Sequence, residues 1–257
     1  MALVPARRAW PLARRSLWAL PLLAAPGPAR AGDVLTLGGT GSGLAVLADL
    51  TRHHAAAGGV ACRIVPSLGS TGGLRALAAG RLDVAITLDD PGDGLGEIPS
   101  RSIVLGRTPV VIATKGGATP RHLSAEQAGR LLTGQDRAWP DGTPARLVGR
   151  TASEREWRAL RLGPAALARA ASGPPPGTGH VVSVTAQDNA AALAMIEGSI
   201  GVITLGQILA EGRDLRAVLL DGVAPGIETL RAGDWPLAVT LHACIRAESR
   251  PAVHDLI

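Results

Sequence analysis

The runs Gly38-Gly-Thr-Gly-Ser-Gly43 and Gly69-Ser-Thr-Gly-Gly73 combine glycine with small hydroxyls. Each lies between a short apolar segment and a segment of helical pattern, so each predicts a strand, a tight loop and a helix start. A loop of this kind turns backbone N–H groups and hydroxyls toward one point at the positive end of a helix dipole, where an anion is stabilised. Two such loops in tandem at one sheet edge suit a single small oxyanion held between them. A simpler alternative, tight strand-to-helix turns and nothing more, stays open for either loop alone.

Other chemistries fit these residues less well. A dinucleotide fingerprint would need Gly or Ala where Leu44 stands and an acidic residue where the second strand ends in Pro66-Ser67. No Gly-Lys-Ser/Thr is present for a P-loop, and no Gly-x-Ser-x-Gly elbow surrounds Ser42 or Ser70. The six histidines are scattered and no cysteine/histidine group has metal spacing. Asp89 and Asp90 have three open roles: a metal pair, helix caps, or a hydrogen-bond acceptor for a ligand that carries a proton. Arg150 follows a predicted strand and suits a bidentate contact to an oxyanion. Ser153 with Glu156 also reads as a capping box, a role that would engage the same hydroxyl. Thr185 with Asp188 is most simply a cap.

The elements that must position these groups alternate. Strands are predicted at Val34–Leu37, Ala61–Val65 and Val84–Leu88, with helices at Leu44–His54 and Leu74–Ala79 between them. Short, uninterrupted apolar strands of this kind belong to a parallel sheet covered on both faces. Two further strands, Ile103–Leu105 and Val110–Ala113, lead to a second region. It holds a helix at Ala125–Leu132 capped by Ser124 and Gln127, a strand near Arg146–Val148, and helices over Glu154–Leu162 and Pro164–Ala171. After a Pro/Gly linker at Ser172–Gly179 come a strand at Val181–Val184, a helix at Asp188–Glu197 and strands at Ile200–Thr204 and Val218–Leu220. Leu237–Ile245 is a long alternating strand that can return to the first region, and a last helix precedes Ile257.

The first residues carry an export signal: Arg7, Arg8, Arg14 and Arg15, then the apolar Ser16–Ala25, then Ala29-Arg-Ala31 as a cleavage site after Ala31. The apolar run is too short for a bilayer span. With Arg30, these are five of the chain's 26 basic residues, and residues 1–31 hold no acid. Cleavage therefore leaves 21 basic against 21 acidic residues. A neutral mature chain with no Phe and no Tyr gives no support for nucleic-acid binding. Cys62 and Cys244 either pair in an oxidising compartment or remain buried thiols.

The order of motifs resembles the periplasmic phosphate-binding proteins of ABC transporters, within the wider periplasmic solute-binding superfamily. The likeness covers nearly all of residues 33–257. It is carried by the two glycine loops, by Leu74-Arg-Ala-Leu-Ala78, and by Gly80-Arg-Leu-Asp-Val84. Further carriers are Leu123-Ser-Ala-Glu-Gln127, Leu131-Leu-Thr-Gly134 with Trp139, and Gly198-Ser-Ile-Gly201. The last are Leu220-Asp-Gly-Val-Ala-Pro225 and Gly233-Asp-Trp-Pro-Leu237.

The resemblance implies an α/β, two-lobed periplasmic binding protein fold. Each lobe is a mainly parallel sheet flanked by helices, and hinge crossovers join the two. Lobe 1 would be residues 32–106 plus 238–257, and lobe 2 residues 107–237. It implies capture of a small oxyanion, phosphate favoured, in the interlobe cleft. The first lobe would supply Thr40, Ser42, Gly43, Ser70, Thr71 and Asp89, and the second Arg150 and Ser153. Asp89 meets the family's aspartate only with a one-residue shift. Ser153-Glu154-Arg155 stands where the family has Ser-Gly-Thr, so Glu154 would bring a negative charge near the anion. The implied protein is a periplasmic monomer, not an enzyme, without cofactor or metal, that delivers its ligand to an ABC permease. The alternatives are a binder of another anionic solute and an accessory or sensor protein that keeps the fold without phosphate transport.

Overall fold

The order of apolar runs becomes a nine-stranded sheet in a computed structural model that describes residues 34–88, 90, 92, 100–117, 121–151, 154–173 and 181–257. The predicted signal peptide and most of the predicted linker at 172–179 lie outside the described residues, as do Asp89 and Ser153. The described residues fall within one compact unit.

The first part of the chain runs β1 Leu35–Gly39, α1 Gly41–Ala56, β2 Cys62–Ile64, α2 Gly69–Ala78 and β3 Val84–Thr87. Both β2 and β3 pair with β1 in parallel. The helices begin earlier than the apolar pattern predicts, because the glycine runs form their first turns rather than preceding loops. Gly39 explains the tightness of the first turn. Its φ is +129°, and a Cβ there would lie 2.0 Å from the Ile86 carbonyl oxygen. A Cβ at Gly73 would lie 2.7 Å from Gly39 Cα, so α2 approaches β1 backbone to backbone.

Next comes β4, Ser100–Lys115, a single 16-residue strand where the sequence predicts two. Its first part pairs antiparallel with the returning strand, from Ser100 opposite Arg246 to Pro109 opposite Ala238. From Val110 onward it pairs antiparallel with strand Ser199–Thr204 instead. Pro109, which has no N–H to give a ladder, stands at the changeover. Exposed Val104 and Leu105 do not divide the strand, because the ladder with its neighbour continues through a register shift between Leu241 and His242.

The middle of the chain adds β5 His122–Leu123, α3 Ala125–Leu132, β6 Arg146–Gly149, α4 Arg155–Ala159 with a 3₁₀ turn Leu160–Leu162, and α5 Ala165–Ser172. It continues through β7 Val181–Val182, α6 Ala186–Met195, β8 Ser199–Thr204, α7 Leu205–Glu211, β9 Leu215–Ala217, β10 Leu219–Leu220 and α8 Ile227–Ala232. Strands β7 and β8 pair in parallel with β6, and β9 pairs antiparallel with the end of β4. The capping boxes Ser124/Gln127 and Thr185/Asp188 form as expected. The chain then returns through β11 Ala238–Arg246, antiparallel to β3 and β4, and ends with α9 Pro251–Leu256. The sheet order is β2-β1-β3-β11-β4-β8-β6-β7, with β5 and β10 paired separately. One group of parallel strands thus lies on each side of the antiparallel pair β11–β4.

With no Phe or Tyr, the large core volumes fall to Leu, Ile and three tryptophans. Trp139, Trp157 and Trp235 are all buried. Trp139 Nε1 donates to the Gly198 carbonyl at 3.0 Å and Trp235 Nε1 to the Val110 carbonyl at 3.0 Å, which satisfies both indoles inside the core. Cys62, half-buried, and Cys244, buried, are free thiols in the structure, so of the two only Cys244 is the buried thiol that one alternative expected. Among the described residues, no helix is long and apolar enough to cross a membrane.

Candidate functional site

The first glycine run places Thr40 as the N-cap of α1, so Gly41, Ser42 and Gly43 form its first turn, and all four are buried. Thr40 N–H donates to the Ile86 carbonyl at 2.8 Å, and Gly43 N–H donates back to the Thr40 carbonyl at 3.2 Å. Gly43 is tightly enclosed, since a Cβ would lie 2.5 Å from Leu241 and 2.6 Å from Ile86. Gln187, in the first turn of α6, closes over the helix end and donates from Nε2 to the Gly41 carbonyl at 2.9 Å.

Ser42 points to a different partner from the one its sequence context suggests. Its hydroxyl donates to Glu156 Oε1 on α4. Both residues are deeply buried, Ser42 at 1 % exposure and Glu156 at 4 %. Glu156 Oε2 is also buried and has no hydrogen-bond partner among the described residues. The expected Ser153/Glu156 capping box involves Ser153, which lies outside the described residues. Residue 154 is the N-cap of α4, and its own side chain makes no capping hydrogen bond.

Arg150 stands at the end of β6 with its side chain 6 % exposed, and Nη2 pairs with Glu154 Oε2 at 2.7 Å. Its Nη1 is buried without a hydrogen-bond partner among the described residues. Further along, burial and then the neighbouring Arg158 charge press the Arg155 guanidinium below its ordinary value. The segment from Arg150 to Arg158 thus alternates cations and carboxylates.

In the second glycine run, Ser70 is half-buried in the first turn of α2, and its Oγ accepts from Leu88 N–H at 3.2 Å. That bond ties the helix start to the end of β3, immediately before Asp89. Thr71 is exposed. Among the predicted residues, Thr40, Ser42 and Gly43 share one helix start and Ser70 and Thr71 another. Arg150 belongs to the strand end that leads into α4. Asp89 and Ser153 lie outside the described residues. The sequence reading missed Glu156 and Gln187 as neighbours of the first loop. Only the cap-like position of Glu156 and the place of Gln187 at the start of α6 hinted at either.

A separate groove of about 390 Å³ is lined by Lys115, Arg121, Trp139, Asp141, Glu197 and Arg216, among others. It contains none of the predicted residues. Two of its cations are already paired, Lys115 with Glu197 and Arg121 with Asp141, and Arg121 also stacks 4.2 Å above the Trp139 ring. Among the described residues, no group of three His, Cys, Asp or Glu side chains could hold a metal ion.

Comparison with solved structures fixes the fold. A phosphate ABC transporter substrate-binding protein with bound phosphate from Clostridium perfringens superposes with a TM-score of 0.66 at 15% identity, over 87% of this chain and 91% of that one. The chain has the two-lobed periplasmic binding protein fold. An ABC-type phosphate transport receptor from Vibrio cholerae gives a TM-score of 0.55 at 14% identity, over 86% and 90% of the two chains. The bromide-bound regulatory domain of HypT from Salmonella typhimurium gives 0.54 at 12%, over 87% and 91%. No family model and no curated protein matches the sequence. In this chain the antiparallel β11–β4 pair stands between the two groups of parallel strands, all in one sheet flanked by helices.

Proposed function

We propose that the protein is an exported solute-binding protein that captures a small oxyanion, phosphate favoured, in the cleft between its lobes and delivers it to an ABC permease. The lobes would be residues 32–106 with 238–257, and residues 107–237. The observation that carries the reading is the buried contact between Ser42 and a carboxylate at the start of a 16-residue helix. A place that already receives a negatively charged oxygen, at the positive end of a helix dipole, has the electrostatics an oxyanion needs. Arg150 supports it from the other lobe with a buried guanidinium nitrogen that has no acceptor among the described residues. Ser70, Thr71, Asp89 and Ser153 complete the proposed set. The same fold in a phosphate transport receptor adds to the transport reading. Its occurrence in the regulatory domain of HypT favours a second reading, a ligand sensor that shares the cleft but not the permease.

Calorimetric titration tests the binding reading. Processed protein, unfolded and refolded to remove any bound solute, is titrated with phosphate, sulfate and molybdate. Saturable phosphate binding is expected. Arg150→Ala should weaken it by tenfold or more, and unchanged affinity in that variant would remove Arg150 from the site. The absence of binding to all three anions would refute capture of an inorganic oxyanion. Co-purification with a permease, against co-purification with a membrane kinase, separates transport from sensing.

A further inference from the structure

We infer that Glu156 determines anion affinity in this cleft by acting as an internal anion, seated on Ser42, which an incoming oxyanion must displace. The inference rests on the cleft-binding reading and specifies how the site is held before a ligand enters.

A serine hydroxyl has one proton to donate, and Ser42 gives it to Glu156 Oε1. An external anion therefore cannot receive that proton while the contact stands. Solvent does not offer an easy substitute, because both side chains are more than nine-tenths buried. Charge adds to the exclusion. The second carboxylate oxygen, Oε2, is buried with no donor among the described residues, and so is Gln187 Oε1 beside the Gly41 turn. An anion entering next to them would meet acceptor oxygens where it needs donors, and like charge at short range in a poorly solvated place is strongly unfavourable.

Glu156 is also a tethered competitor. It belongs to the same short segment as Arg150, the residue proposed to hold the ligand from the second lobe. A group fixed on the chain competes at an effective concentration of the order of millimolar or higher, independent of how much ligand is supplied. Arg150 Nη1, buried and without an acceptor among the described residues, offers an oxyanion one strong contact. The hydroxyl seat has to be vacated to give the second. Ligand entry and release of Glu156 from Ser42 are thus opposed uses of one proton.

Phosphate and sulfate titrations of the wild-type protein and of Glu156→Ala, Glu156→Gln and the double variant Ser42→Ala/Glu156→Ala test this. Circular dichroism confirms that each variant is folded. Glu156→Ala should bind at least tenfold more tightly than wild type. Glu156→Gln should gain less, because its amide oxygen can still take the Ser42 proton. Ser42→Ala added to Glu156→Ala should cancel most of the gain, which ties the effect to the hydroxyl and not to a general change in charge. If wild type binds and neither Glu156 variant binds more tightly, the internal-anion role is overturned while the cleft reading stands. If wild type is silent and Glu156→Ala binds, the inference stands and the wild-type cleft is held shut by its own carboxylate. If no form binds either anion, the inference and the oxyanion reading fall together, an outcome recognised by the silent wild-type and Glu156→Ala titrations.

Discussion

Replacing Ser42 by Ala should destabilise the protein through a charge, not through lost volume. The hydroxyl is the donor to Glu156 Oε1, and the other oxygen, Oε2, has no partner among the described residues. Removing it leaves a carboxylate that is 4 % exposed without a described donor at either oxygen. Hydrogen bonds to charged groups contribute about 1.5–3 kcal/mol, and an unsatisfied buried partner costs a similar amount. We therefore expect a loss of roughly 2–3 kcal/mol, which for a domain of this size lowers Tm by about 4–12 °C. The control is the same substitution in a Glu156→Leu background, where no carboxylate remains to be orphaned. There Ser42→Ala should cost less than about 1 kcal/mol, because no carboxylate remains to lose its donor, while Glu156→Leu by itself removes a buried carboxylate but leaves the Ser42 hydroxyl without its acceptor. Urea denaturation of the four proteins, read by Trp fluorescence and far-ultraviolet circular dichroism, gives the coupling energy directly. Equal costs for Ser42→Ala in both backgrounds would refute the reasoning, since the hydroxyl would then act independently of Glu156.

Two other outcomes follow from the geometry. Gly39→Ala forces a side chain into a positive-φ residue and to 2.0 Å from the Ile86 carbonyl oxygen. Strain and overpacking of about 1–3 kcal/mol each should sharply reduce the yield of folded protein, whereas Gly142→Ala, with positive φ but open space, should be milder. A melting temperature within about 2 °C of wild type for Gly39→Ala would contradict the close approach of β1 to β3. Burial pushes the Cys244 thiol up, and burial with the Asp83 charge pushes Cys62 up. At pH 8 both are therefore mainly protonated and slow to react. A thiol-specific chromogenic reagent should leave Cys244, which is 0 % exposed, unmodified in native protein and titrate two thiols after denaturation. Finding no thiols after denaturation without reductant would mean that the two cysteines pair.

Much of the scaffold is legible in the chain because it rests on local rules. Period and punctuation locate β1, α1, β2, α2 and β3, and the Ser124/Gln127 box fixes the start of α3 where the sequence places it. Short apolar strands with helices between them imply the parallel pairing seen in both groups of strands, although the outermost strands β2 and β7 are not buried. Other elements escape this kind of reading. Strand β4 looks like two strands because hydropathy falls between Leu105 and Val110, yet pairing with β11 on one side and β8 on the other keeps it continuous. The two-residue strand β5 is a product of its parallel partner β10, nearly a hundred positions away, and has no pattern of its own.

The candidate site divides along the same line. Glycine and hydroxyl residues at helix starts mark both loops, and Arg150 is recognisable at a strand end. The sequence also determines which groups can donate and accept. Which donor meets which acceptor is a long-range matter. Ser42 and Glu156 are 114 positions apart and Gly41 and Gln187 146 apart, and only the folded sheet brings each pair together. A local pattern offers Glu156 as a capping partner for Ser153, which lies outside the described residues, and says nothing of a partner in α1. Tertiary packing gave it to Ser42, because α4 turns that carboxylate inward, where the one hydroxyl proton described as reaching it comes from the start of α1.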